Sequence, residues 1–126
     1  MRMVSLVAVD RSNREAAIAS VRAAAEVLKR GLDMTVFPEG TRSRDGRLLP
    51  LKKGPFYLAA EASAPIVPVT ILGTEQILPK GKFFLRWGTA TLIFHPPVSS
   101  SQYADQKELI AAVRDAIASA LPPERR

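Results

Sequence analysis

The chain contains no cysteine and a single histidine, His95. The first absence removes a thiol nucleophile, disulfides and thiolate metal sites from the chemistry of these residues. It leaves the compartment open. Long hydrophobic runs are also lacking. No stretch approaches the roughly 20 apolar residues that cross a bilayer. The apolar start, Leu6 to Val9, is too short for a signal-peptide core. Any membrane contact is therefore expected to be peripheral. Aromatics make up only 6% of the chain and sit mostly in apolar runs. A nucleic-acid binder interleaves them with its basic residues, so nucleic acid is not an expected partner. A Gly-x-Ser-x-Gly elbow, a Gly-Lys-Ser/Thr phosphate loop and a metal-ligand cluster are absent too.

What is present is the composition of a globular domain, 126 residues long, 47% hydrophobic and 24% charged. That length allows one domain with a modest core. Lys and Arg number 18 against 12 acidic residues, a net charge of +6. The expected partners are anionic: phosphate esters, a membrane face or an acidic carrier. A solvated basic surface accounts for the same charge.

Hydrophobic periodicity gives the order β-α-β-α-β-β-α. Leu6–Val9 reads as a buried strand ending at Asp10-Arg11. Ser12 to Arg30 reads as a helix, with a Ser12/Glu15 capping box, an Ile18/Val21/Ala25/Leu28 stripe and Gly31 as C-cap. Arg22, Glu26 and Arg30 are spaced for weak outer-face ion pairing. Asp33–Phe37 reads as a second strand, stopped by Pro38. Gly54-Pro55 opens a second helix, running to about Ser63. Ile66–Leu72 is a strand broken by Pro68. Residues 73–88 read as loop, carrying Lys80, Lys82 and Arg86. Thr89–Phe94 is a strand closed by Pro96-Pro97. Asp105 and Glu108 start a last helix whose stripe is Leu109, Val113, Ile117 and Ala120. The fold expected is α/β, a mixed, mostly parallel sheet flanked by helices. Residues 1–121 form the domain and 122–126 a tail that frays.

Open α/β sheets bind ligands beyond the C-terminal ends of their strands. Arg11 and Arg42 follow two such ends and form a fork for a phosphate if the strands are parallel neighbours. Lys52-Lys53 precede the start of the second helix, which itself favours an anion. Taken singly, these residues have plainer readings. Asp10-Arg11 fits a turn ion pair, Glu39 and Arg42 a loop salt bridge, and the two lysines a solvated surface.

Taken in order, the blocks resemble a known family. Phe37-Pro38-Glu39-Gly40-Thr41-Arg42-Ser43 matches the signature of the 1-acylglycerol-3-phosphate acyltransferases (PlsC-like, lysophosphatidate acyltransferases). Val9-Asp10-Arg11 is similar to that family's upstream block. Lys53-Gly54 resembles the step after the signature, and Pro65-Ile66-Val67-Pro68-Val69 its last block. The resemblance implies transfer of a fatty acyl group from acyl-CoA or acyl-carrier protein to 1-acylglycerol-3-phosphate, forming phosphatidate. It implies no cofactor beyond that thioester co-substrate, and a peripheral place on the cytoplasmic face of a membrane. Arg11, Glu39, Gly40, Thr41, Arg42 and Lys53 would line the acceptor site. The arginines would hold its phosphate, and Gly40 would let the backbone approach. The Ile66–Val69 strand would shape the acyl-donor side.

The family's catalytic block is His-x-x-x-x-Asp, upstream of the Asp-Arg strand. It does not occur in these residues: His95 is followed at the fifth position by Ser100. No catalytic residue is therefore assigned, and His95 reads as a structural or surface residue. The expectation is an acyltransferase lacking part of its N-terminal side, inactive alone, with exposed apolar surface and a tendency to self-associate. The alternative is a non-catalytic module that binds phospholipid or a membrane surface through Arg11, Arg42 and Lys53.

Overall fold

The computed structural model describes residues 14–126. The strand expected at Leu6–Val9, the Ser12 cap and Arg11 lie outside the described residues.

Helix α1 spans Arg14–Lys29. It ends because Gly31 takes the left-handed conformation at φ 79°, and its N–H bonds Leu28 O at 2.9 Å. A residue with a Cβ is strained there. Ala24 and Ala25 are buried, and Val21 and Leu28 pack beside them. Most of the expected stripe is therefore the inner face, but Ile18 is 48% exposed. On the outer face Glu26 pairs with Lys29 at 3.2 Å rather than with Arg22 or Arg30.

Helix α2, Gly54–Glu61, starts with Pro55 in its first turn. It is the spine of the core. Phe56 and Leu58 are two residues apart, so about 200° of helical rotation turns them to opposite sides. Leu58 meets Ala24 and Ala25 of α1. Phe56 meets Leu109 and Val113 of the last helix, α4, Gln106–Ser119. An apolar helix buried on two sides is the pattern expected between two amphipathic ones. At the start of α4 the Asp105 carboxylate accepts the Glu108 N–H at 2.8 Å. Glu108 reaches back to the Ala104 N–H at 3.2 Å, so the predicted cap forms.

Strands β1, Val69–Leu72, and β2, Thr91–Phe94, pair antiparallel with Thr70 opposite Ile93. A bridge between Ile66 and Val98 extends the pairing. Pro68 interrupts it, since proline has no N–H to give. Thr70 is fully buried and ties the sheet to α4. Its hydroxyl donates to Ile117 O at 2.8 Å, one of the carbonyls that a helix C-terminus leaves unpaired.

Two sequence expectations change. Met34–Phe37 carries no strand among the described residues. A strand needs a laddered neighbour, and the one expected, Leu6–Val9, is not among them. The 73–88 loop contains a one-turn helix, α3, Thr74–Ile77. It begins at Gly73, where φ is 86° and a Cβ would overlap Thr89 O.

The tail also differs from expectation. Residues Pro123–Arg125 form a 3-10 turn, and the Arg125 guanidinium bonds Glu75 at 2.6 Å. Arg125 O accepts the Leu48 N–H at 2.9 Å, and its side chain lies over Gly46. Chain ends fray when nothing holds them; here three contacts do. Hydrogen bonding to Arg125 is the main cause holding the Glu75 carboxyl below its ordinary value. A carboxylate depressed in the folded state stabilises it above the unfolded pKa, about 4.3. That contribution is lost as pH falls through the lowered folded value. Both partners are partly solvated, so the effect is modest. Acidification below about pH 4 is expected to free the tail before the core unfolds, seen as faster carboxypeptidase trimming. In Glu75→Gln the trimming should be fast already at neutral pH. A wild-type tail equally protected at both pH values would show the pair to be idle.

Candidate functional site

The signature segment is an ordered loop whose two ends are stitched together. Pro38 O accepts the Lys52 N–H at 2.8 Å. One residue on, the Glu39 carboxylate turns inward and accepts the Leu49 N–H at 2.7 Å. Gly40 closes a tight turn, its N–H on Phe37 O at 3.1 Å with φ at 73°. Glycine adopts that conformation without steric cost. At the loop tip Asp45 accepts from the Ser43 hydroxyl at 2.8 Å and from the Arg47 N–H at 3.1 Å. The Ser43 hydrogen bond is the main cause lowering its pKa.

A second strap comes from far along the chain. Lys80 Nζ donates to Arg42 O at 2.6 Å and to Thr41 Oγ1 at 3.4 Å, 38 and 39 residues away. In return Arg42 Nη1 donates to Leu78 O at 3.3 Å. A guanidinium has five N–H donors, so this bond aims Arg42 and leaves most of its fork free. Between the stitches lies an open cleft of about 300 Å³, lined by Glu39, Gly40, Thr41, Leu49, Pro50 and Lys52.

The expected site residues therefore separate. Glu39, Gly40 and Thr41 line the cleft, and Arg42 adjoins it. Glu39 and Arg42 do not form the loop ion pair; each is bonded to backbone instead. Lys53 is exposed and is not in the lining; its carbonyl opens α2 by accepting from Phe56 and Tyr57. Its neighbour Lys52 takes the wall position. Arg11 lies outside the described residues. Sequence reasoning did not place Lys80 in the site. It read as one more basic loop residue, and no spacing rule links it to Thr41.

His95 is held through Thr70 against the C-terminal end of α4. Its Nε2 lies 2.8 Å from Thr70 Oγ1. The Thr70 proton is given to Ile117 O, so the hydroxyl can only accept from the ring. Nε2 must then carry hydrogen.

The family model described as Acyltransferase matches residues 1–72. A 1-acyl-sn-glycerol-3-phosphate acyltransferase of Chlamydomonas reinhardtii is 38% identical over 125 residues, 98% of this chain and 37% of that protein. The enzyme of the same name from Limnanthes douglasii is 39% identical, over 94% of this chain and 43% of its own length. The one from Salmonella typhimurium is 38% identical, over 82% and 42%. The crystal structure of the 1-acyl-sn-glycerophosphate (LPA) acyltransferase PlsC from Thermotoga maritima superposes with a TM-score of 0.76 at 37% identity. It covers 82% of this chain and 43% of that one. The chain thus spans less than half the length of each of these relatives.

Proposed function

The chain belongs to the acyltransferase family of the 1-acylglycerol-3-phosphate acyltransferases, and from that premise we propose that it supplies the acceptor-phosphate side of a phosphatidate-forming site. The reaction moves a fatty acyl group from acyl-CoA or acyl-carrier protein to the free hydroxyl of 1-acylglycerol-3-phosphate. The C–O ester bond forms, the thioester C–S bond breaks, and the hydroxyl proton leaves with a base. Arg42 carries the reading. It is aimed by Leu78 O yet keeps most of its N–H groups, beside a cleft with a lysine wall. A phosphate dianion suits that fork. Arg11 and Lys53 are proposed to add charge on the same anion, and Gly40 and Thr41 to let backbone and hydroxyl approach it. Glu39 contributes by fastening the loop, since its carboxylate is used on Leu49.

None of the described helices is long and apolar enough to cross a membrane. We place the chain peripherally, at the cytoplasmic face where both the lipid acceptor and the thioester donor are within reach.

The test is equilibrium binding of 1-acylglycerol-3-phosphate by the chain and its Arg42 variants. One charge-assisted contact is worth roughly 1.5–3 kcal/mol. Arg42→Ala should therefore weaken binding by about 10- to 150-fold, with Arg42→Lys in between because it keeps charge without the fork. Removing the ligand phosphate should erase the difference. Wild-type affinity in Arg42→Ala would defeat the assignment.

A further inference from the structure

The segment after α3 exposes its largest apolar side chains. Phe83, Phe84, Leu85 and Trp87 are 96%, 86%, 75% and 104% exposed. Scattered apolar residues on a surface are ordinary, but four nearly bare ones within five positions form a patch that water does not favour. The segment is not a loose thread. The Arg86 N–H bonds Ile77 O at 2.8 Å and the Lys82 N–H bonds Pro79 O at 3.1 Å. Gly88 fits so closely on Ile77 that a Cβ would meet its Cγ1 at 2.9 Å. The base is thus pinned, and the tip stands in solvent.

Charge narrows what the tip can meet. Lys80, Lys82 and Arg86 fall within or beside the patch, and no Asp or Glu occurs from Gln76 to Ala104. Bare aromatics bracketed by cations suit the boundary layer of a lipid surface. Rings sit at headgroup depth there, and ammonium and guanidinium groups meet phosphates. The root of the segment is also the strap on the signature loop, through Arg42 to Leu78 O and Lys80 to Arg42 O. A tip seated in lipid would hold the cleft next to the bilayer, where a lipid acceptor resides.

We propose that residues 80–87 form a membrane-docking finger, inserting Phe83, Phe84, Leu85 and Trp87 into the headgroup layer of an anionic lipid surface with Lys82 and Arg86 on its phosphates. The inference rests on the peripheral-membrane part of the reading above and assigns that contact to a named element.

Trp87 is the only tryptophan, so the finger reports on itself. The chain is mixed with phosphatidylcholine vesicles with and without phosphatidylglycerol, an anionic lipid distinct from the acceptor. Binding is read by sedimentation, and insertion by Trp87 emission and by quenching from lipids brominated in their acyl chains. The expected result is sedimentation with the anionic vesicles, a blue shift of Trp87 and quenching by bromine. The Phe83→Ser/Phe84→Ser and Lys82→Glu/Arg86→Glu variants should each bind at least about tenfold more weakly. These side chains are solvent-exposed, so the circular dichroism spectrum should not change. Sedimentation that survives both variants, with Trp87 unquenched, would overturn the finger and leave peripheral binding intact. No sedimentation at all would overturn both. A Trp87 emission already blue-shifted without lipid, and dependent on protein concentration, would show the patch covered by a second copy of the chain and overturn the proposal.

Discussion

Given an acyl thioester and 1-acylglycerol-3-phosphate, the chain alone is expected to release thiol at least 10²–10⁴-fold more slowly than a relative carrying His-x-x-x-x-Asp, the range attributed to a positioned general base. In barrier terms this is about 3–5 kcal/mol. The acceptor hydroxyl must lose its proton as it attacks the thioester carbonyl, and three candidates among the described residues are already engaged. Glu39 accepts from Leu49, and Glu75 is bonded to Arg125. His95, the only imidazole in the sequence, is anchored through Nε2 to Thr70 beside the end of α4. Binding of the acceptor does not need that base and should persist. The predicted pattern is therefore affinity without turnover. Because the chain has no cysteine, a thiol-reactive chromophore reads the released donor thiol without protein background. Turnover matching that of a complete relative would sink the expectation. If that turnover vanished in His95→Ala, the base would be His95 itself.

The parts of the fold legible in the sequence were those fixed by local chemistry. Gly31 after an apolar stripe, Pro55 in a first turn and the Asp105/Glu108 pair each solve a helix-end problem within a few residues. All three appear in the structure. The family assignment was legible for a related reason: Phe37–Ser43 is one contiguous string. What escaped depends on side chains reaching partners across long separations in the chain. Lys80 reaches Arg42 across 38 residues, and Arg125 reaches Glu75 across 50. Neither pairing leaves a periodic trace, so one looked like loop charge and the other like a frayed end. For Glu39 only the plainer of its two readings, the loop salt bridge, fails. Its charge pointed to an ion pair with Arg42, yet an unpaired N–H at Leu49 was the partner the loop geometry supplied. Lys52 and Lys53 could not be told apart by composition. In the structure it is Lys52 that lines the cleft.

The turn that opens α2 is only as firm as the helix behind it, and Phe56→Ala is expected to be the most damaging single change in the core. Phe56 is 2% exposed and packs on Leu109 and Val113 from α4, with Leu51 and Ile66 beside it. Truncating a buried Phe removes its transfer energy and leaves a cavity, together about 3–5 kcal/mol. Small domains are stable by only about 5–15 kcal/mol, so the variant should be near the edge of unfolding. Its urea midpoint, followed by circular dichroism, should fall steeply. The neighbouring Tyr57→Ala is the control. Tyr57 is 55% exposed, and a surface truncation is expected to cost within about 0.5 kcal/mol. Lys52 is tied to Pro38 O only two residues before α2 begins. Loss of Phe56 should therefore also loosen the cleft wall and weaken acceptor binding before global unfolding. A Phe56→Ala chain as stable as Tyr57→Ala would mean that α2 is not the spine holding the signature loop in place.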